Sequence, residues 1–86
     1  MPILSMFFGI IVRMYYDDHN PPHFHAEYQG RNALFDFKGN VMRGDLKSPT
    51  ATRLVREWAE RHDMELKEDW ELAIKGVGLK KIAPLE

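Results

Sequence analysis

The residues of this chain that are best suited to chemistry are three histidines within seven positions, His19, His23 and His25. They lie in the run Asp17-Asp18-His19-Asn20-Pro21-Pro22-His23-Phe24-His25-Ala26-Glu27-Tyr28. The imidazole group has an ordinary pKa close to neutrality, so it can take up or release a proton, and its neutral form binds metal ions. A functional site is therefore expected in this run.

The second half of the run has the alternating pattern of a β-strand. Successive side chains of a strand point to opposite faces, so His23, His25 and Glu27 should share one face. The other face of the same strand is apolar and carries Phe24, Ala26 and Tyr28. The preceding residues 17–22 form a loop, because Asp and Asn favour turns and each proline pushes the residue before it toward extended conformations.

Length and composition predict one ordinary globular domain over residues 1–86. The chain has a mass of 10.1 kDa, 44% hydrophobic residues and 29% charged residues, which is not the composition of a disordered or membrane protein. No segment reaches the roughly 20 apolar residues that span a bilayer. The apolar residues 1–12 lack the basic start and the cleavage site of a signal peptide. A cytoplasmic location is expected.

The cysteine content and the net charge exclude or disfavour some classes of site. The chain has no cysteine, which excludes disulfides, thiolate metal sites and a cysteine nucleophile. Its net charge is -1, and neither half forms a basic arm, so the overall charge does not indicate nucleic-acid binding.

The front of the chain predicts a small antiparallel sheet. Five segments have strand character, namely residues 3–5, 10–16, 23–29, 33–37 and 41–46. Most of their connections are short, and short connections favour antiparallel pairing because parallel neighbours need crossovers of a dozen or more residues. On the second segment the core face should carry Ile10, Val12, Met14 and Tyr16. We therefore predict a β-meander of four or five strands.

The back of the chain predicts helix. Ser48 and Pro49 form a helix-start signal, since serine caps free backbone N–H groups and proline loses no hydrogen bond at the first helical position. Apolar residues then recur at helical spacing, giving one long helix or two shorter ones up to Lys75: Leu54, Val55, Trp58, His62, Leu66, Trp70, Ala73 and Ile74. Gly76 should end the helix, and residues 79–85 should form an extended tail that lies against the sheet. The expected fold is α+β, with the helices packed on one sheet face.

Pairing of the second and third segments would enlarge the histidine face. In that arrangement Arg13, Tyr15 and Asp17 lie on the same face as His23, His25 and Glu27. The other sheet face would be covered by the helices. This pairing is an expectation from the order of the segments.

Three functional interpretations apply to this face. It can form a zinc or iron site, although three ligands must converge at about 2 Å and one strand does not ensure that, so no cofactor is predicted. It can perform metal-independent acid–base chemistry on a phosphodiester, with Arg13 or Arg31 holding the anion and Tyr15 orienting it. It can also bind protein or RNA without catalysis. The structural alternative is that His23 and His25 hydrogen-bond the loop of Asp17 and Asp18 and fix the turn at Pro21 and Pro22.

Other residues suggest packing or interfaces. Trp58, Trp70 and His62 lie on the helical stripe and are expected in or beside the core. The consecutive apolar residues Met6, Phe7 and Phe8 cannot all enter one small core, so some should contact a partner protein or a second copy of the chain.

Three segments of the chain resemble a bacterial domain-of-unknown-function family (number four-one-six-zero). They are Phe7-Phe8-Gly9-Ile10, the D-H-N-P-P-H-F-H segment and Leu54-Val55-Arg56-Glu57-Trp58-Ala59. The family motif falls on Asp18, His19, Pro21, Pro22, His23, His25 and Glu27, with Arg56, Glu57 and Trp58 as a second block. Arg13 lies where the family varies, which weakens its role as an anion clamp.

This resemblance implies a stand-alone small protein, often encoded beside a second small domain-of-unknown-function protein (number two-four-four-two), as in a toxin–antitoxin pair. We therefore expect a toxin that acts on RNA or translation through His19, His23 and His25. The alternative is a non-catalytic, antitoxin-like module that binds its partner through Phe7, Phe8 and Tyr28. A small metal-binding protein is the third interpretation.

Overall fold

The computed structural model describes residues 2–16 and 18–86. Its strands are β1 Ile3–Phe7, β2 Ile10–Arg13, β3 Phe24–Tyr28, β4 Arg31–Phe35 and β5 Val41–Gly44. Two helices follow, α1 Pro49–Arg61 and α2 Asp63–Lys75. The predicted α+β fold is confirmed.

The five strands form one antiparallel sheet in the order β1-β2-β3-β4-β5, which confirms the meander. Two-residue turns close the β1–β2 and β3–β4 hairpins, with φ angles of 49° and 78° at Phe8 and Gly9 and of 49° and 77° at Gln29 and Gly30. Paired positive φ angles define the turn whose twist matches that of the flanking strands. The longer β2–β3 connection holds the histidine run.

The strand predicted over residues 10–16 is shorter than expected. β2 ends at Arg13, and Tyr16 is exposed instead of lying on the core face. The chain leaves the sheet after Met14, which is still buried, and Tyr16 therefore no longer follows the alternation of the strand.

The helical segment divides into two helices at His62. Ser48 caps α1 as predicted, because its Oγ accepts a hydrogen bond of 3.0 Å from the backbone N–H of Ala51. Gly76 ends α2 in the left-handed conformation, with φ of 72°. The predicted stripe is buried at Val55, Trp58, Leu66, Trp70 and Ala73, whereas Ile74 is exposed.

The helices cover the apolar face of the sheet. The Trp58 ring lies 5.5 Å from the Phe24 ring and 5.6 Å from the Phe7 ring, measured between centroids. The tail lies against β1, as predicted, since the Ile82 N–H donates to the Leu4 carbonyl at 2.8 Å. Among the described residues, no helix combines the length and hydropathy that crossing a lipid bilayer requires.

Candidate functional site

The sheet face opposite the helices carries a row of side chains across four strands. Arg13 pairs with His25, His25 with Leu34, and Leu34 with Arg43, so the four residues lie side by side. Neighbouring strands are about 4.8 Å apart, which places an arginine on each side of His25, one strand away and two strands away. Arg43 was absent from the sequence-based candidates, and only the register of the β4–β5 hairpin reveals it.

The residues around His25 form a polar group on this face. Arg13 donates to Glu27 Oε1 at 2.7 Å, and the ring of Tyr15 contacts the His25 ring edge-on at 4.3 Å between centroids. The pairing expected from the sequence therefore brings Arg13, Tyr15, His25 and Glu27 together. Asp17, which was expected on the same face, lies outside the described residues. The carboxylate of Glu27 offsets the positive charge of the Arg13 guanidinium, so Arg13 is less suited to hold an anion.

The Asp18 carboxylate joins the two neighbouring histidines. Its Oδ2 lies 2.9 Å from Nε2 of His23 and 3.2 Å from Nε2 of His25. Nδ1 of His23 lies 2.8 Å from the Pro21 carbonyl oxygen. A carbonyl oxygen only accepts hydrogen bonds, so Nδ1 of His23 carries a proton and donates it. We call these three side chains, Asp18, His23 and His25, the Asp–His–His cluster.

His23 is held differently from His25. It precedes β3, is only 6% exposed, and its ring packs 5.5 Å from that of Trp70 on α2. His25 is half-buried on the open sheet face, with its ring 5.3 Å from that of His23. The two imidazoles therefore meet at the rim of the sheet, one anchored in the core and the other facing solvent.

Two groups of the cluster have shifted pKa values. Burial alone would raise the pKa of Asp18, but the hydrogen bond from the His19 N–H and the contacts with His25 and His23 together lower it. Burial lowers the pKa of His25, more than the hydrogen bond to Asp18 raises it. Asp18 is therefore ionised and His25 is neutral at neutral pH.

A cleft of about 270 Å³ opens beside the cluster and is lined by Asp18, His19, Asn20, Pro21, His23, Leu34, Met42 and Arg43. His19 is exposed there, and its backbone N–H donates to Asp18 Oδ1 at 2.9 Å. The cleft therefore combines two imidazoles, a carboxylate and an arginine, which are groups that can bind an anion and move protons.

Two predicted arginines lie away from the cluster. Arg31 pairs with Tyr28 at the turn end of the β3–β4 hairpin. It lies three positions before Leu34 on β4, so its side chain points to the opposite sheet face from that of Leu34. Arg56 lies on α1, where its Nε–H donates to the Gly39 carbonyl at 3.3 Å. Neither residue reaches the cleft.

The candidate interface aromatics also separate. Phe7 is buried at 6% exposure beneath the helices, which corrects its expected place at an interface, while Phe8 is 59% exposed at the tip of the β1–β2 turn. Tyr28 is only partly buried and packs against the edge of the core. An interface of this kind would therefore use Phe8 and its exposed neighbour Met6, and Phe7 would support it from below.

The fold and the cluster define a small α+β protein with an Asp–His–His site at the rim of a five-stranded sheet. The family model described as "Domain of unknown function (DUF4160)" matches residues 9–71, and the chain belongs to this family. This confirms the predicted resemblance, and the matched range contains the whole cluster. No curated protein and no solved structure matches the chain.

Proposed function

We propose that the chain cleaves phosphodiester bonds of RNA at the Asp–His–His cluster, as the toxin of a cytoplasmic toxin–antitoxin-like pair. The observation that supports this most is that the Asp18 carboxylate orients the imidazoles of His23 and His25, and that Asp18 and His23 line a cleft together with His19 and Arg43. The paired small protein expected from the family resemblance would be its antitoxin.

These groups suit cleavage of RNA by its own 2′-hydroxyl. The Nε2–H of His25 donates to Asp18, which leaves Nδ1 free to accept the proton of the 2′-hydroxyl. The 2′ oxygen then attacks phosphorus, the bond from phosphorus to the 5′ oxygen breaks, and that oxygen takes a proton from His19. Arg43 stabilises the charge on the phosphoryl oxygens.

Growth after induction tests this proposal in cells. The wild-type chain should inhibit growth, and the neighbouring gene should restore it. His25→Ala should relieve the inhibition because it removes the base, and it should leave the fold intact because His25 is only half-buried. The matched control is His62→Ala, since His62 is also half-buried but lies between the helices, 2.6 Å from Glu65.

Inhibition by His25→Ala equal to that by the wild-type chain would contradict the site assignment. His25 is a better choice than His23, because the alanine variant of His23 also loses the contact with Trp70 and can unfold.

A non-catalytic antitoxin-like module is the second candidate, and one observation favours it. Phe8 is a large exposed aromatic residue in a conformation with positive φ that bulky residues seldom adopt. Strained positions of this kind cluster at functional sites. Under this alternative the chain alone would not inhibit growth, and it would relieve inhibition by its neighbour.

A further inference from the structure

We infer that Asp18, His23 and His25 together bind one divalent transition-metal ion such as zinc. This inference rests on the site of the proposed function and specifies what it holds, but metal binding itself does not require catalysis. The sequence pattern had grouped the histidines with Glu27 as candidate ligands. The structure instead pairs Glu27 with Arg13 and places Asp18 between the imidazoles.

The three ligand atoms are already arranged for a metal ion. One atom from each side chain lies within 4.8 Å of the other two, and Asp18 Oδ2 is 2.9 Å and 3.2 Å from the two Nε2 atoms. Zinc binds nitrogen and oxygen ligands at about 2.0–2.1 Å, so in a tetrahedral site the ligand atoms lie about 3.3 Å apart. The spacing of Asp18 Oδ2 from each histidine is therefore within a few tenths of an ångström of that of a tetrahedral site.

The hydrogen bond of His23 to Pro21 leaves Nε2 as the ring nitrogen that can bind a cation. The Nδ1–H of His23 is donated to Pro21, so in the neutral ring Nε2 has a lone pair that points at a carboxylate oxygen 2.9 Å away. A divalent cation between Nε2 of His23 and Oδ2 of Asp18 would accept a lone pair from each atom.

Each ligand is also held by a second contact, as is usual around bound metals. The Pro21 carbonyl fixes the His23 ring, the His19 N–H fixes the other oxygen of Asp18, and Tyr15 packs on the His25 ring. Such supporting groups set the tautomer and the orientation of metal ligands. Here they are in place without any rearrangement of the chain.

Two imidazoles and one carboxylate are a ligand set of zinc and of non-haem iron enzymes. Three protein ligands leave a position for water, and the neighbouring cleft gives solvent access to it. A bound ion would hold His25 as a ligand and would supply a coordinated water that can accept a proton in place of His25. Among the described residues, no other group of three such side chains converges in this way.

The test is titration of the full chain, purified without a histidine tag and treated with a chelator, with zinc chloride in a calorimeter. The wild-type chain should bind one zinc ion per chain. Asp18→Asn and His25→Ala should each weaken binding by more than the roughly 10- to 100-fold cost of losing a supporting group. His62→Ala should bind like the wild type, since His62 and Glu65 offer only two ligands.

Failure of the wild-type chain to bind zinc stoichiometrically overturns the inference, and so does equal binding by Asp18→Asn or His25→Ala. Circular dichroism of each variant shows that it is folded. The proposed function fails separately, because growth inhibition that depends on His25 without zinc binding leaves the function standing. Zinc binding without growth inhibition leaves the metal site standing.

Discussion

Among single residues, Asp18 organises the candidate site, because its Oδ2 contacts both the buried imidazole of His23 and the half-buried imidazole of His25. The sequence alone indicates the histidines, since three of them fall in one short run. The sequence also suggests hydrogen bonds from His23 and His25 to the loop of Asp17 and Asp18, and the structure has these contacts at Asp18. The sequence does not show that a single oxygen of Asp18 contacts both rings. It also does not show that the Pro21 carbonyl accepts a hydrogen bond from Nδ1 of His23 and so fixes a proton on that nitrogen.

Arg43 should bind the phosphate of the substrate, since it is the arginine that lines the cleft. Arg43→Gln should raise KM for an RNA oligonucleotide by about 10-fold or more, the cost of losing a charge-assisted hydrogen bond of about 1.5–3 kcal/mol. Arg31→Gln is the matched comparison, because Arg31 is an exposed arginine at the far end of the same sheet. Steady-state kinetics measure both. An equal rise in KM for the two variants would place the anion site elsewhere.

At the scale of elements, the tips and ends of the strands and helices carry features that local pattern does not predict. The Phe8–Gly9 turn is one, because a phenylalanine occupies a position where Asn is strongly preferred. The C-terminal tail is another. It is fixed by the Trp58 indole N–H, which donates to Ala83 at 2.9 Å, and by the Lys80 N–H, which donates to Asp69 at 2.8 Å.

Phe8→Asn should raise the free energy of unfolding by about 1 kcal/mol, because the left-handed conformation penalises phenylalanine and asparagine tolerates it. Urea denaturation measures this change. The same substitution should weaken binding to the neighbouring protein if Phe8 belongs to an interface. Met64→Asn is the control for binding, since Met64 is 78% exposed on α2, far along the chain from the turn. Loss of stability in Phe8→Asn would show that the left-handed conformation of Phe8 is not strained.

Asp69 should make stability depend on pH. It is only 1% exposed, and its Oδ2 has no hydrogen-bond partner among the described residues. Burial raises the pKa of this carboxyl, the hydrogen bond from Lys80 lowers it, and the charges of Glu68 and Glu65 raise it, so the overall shift is upward. A raised folded pKa favours folding fully below the unfolded value of about 3.9, and this contribution is lost as pH rises through the folded pKa.

The wild-type chain should therefore lose stability relative to Asp69→Asn as pH rises from about 4 toward neutrality, because asparagine does not titrate. Urea denaturation across this pH range gives the difference between the two. Glu71→Gln on the exposed side of the same helix controls for surface carboxylates and should run parallel to the wild type. A difference in the free energy of unfolding between wild type and Asp69→Asn that stays constant with pH would show that ionisation of Asp69 does not change the stability.

In the molecule as a whole, the periodicity of apolar residues along the chain predicted the strands and helices. The register between the paired strands determined which side chains meet at the candidate site. The alternation of His25 and Glu27 and the cap at Ser48 are local signals, so the meander and the helix start followed from the sequence. The sequence pattern left open whether the helical segment forms one helix or two, and the structure divides it at His62. Arg43 joined the site only through pairing across three strands, which single-strand patterns do not contain.

Cleavage of a labelled RNA oligonucleotide by the purified full chain is the direct test of the proposed ribonuclease activity. The wild-type chain and His62→Ala should release products with 2′,3′-cyclic phosphate ends. His25→Ala should lower the cleavage rate by about 100-fold or more, the contribution of a positioned acid or base. Cleavage by His25→Ala at the wild-type rate, or no cleavage by the wild-type chain, would show that the chain does not cleave RNA at this cluster.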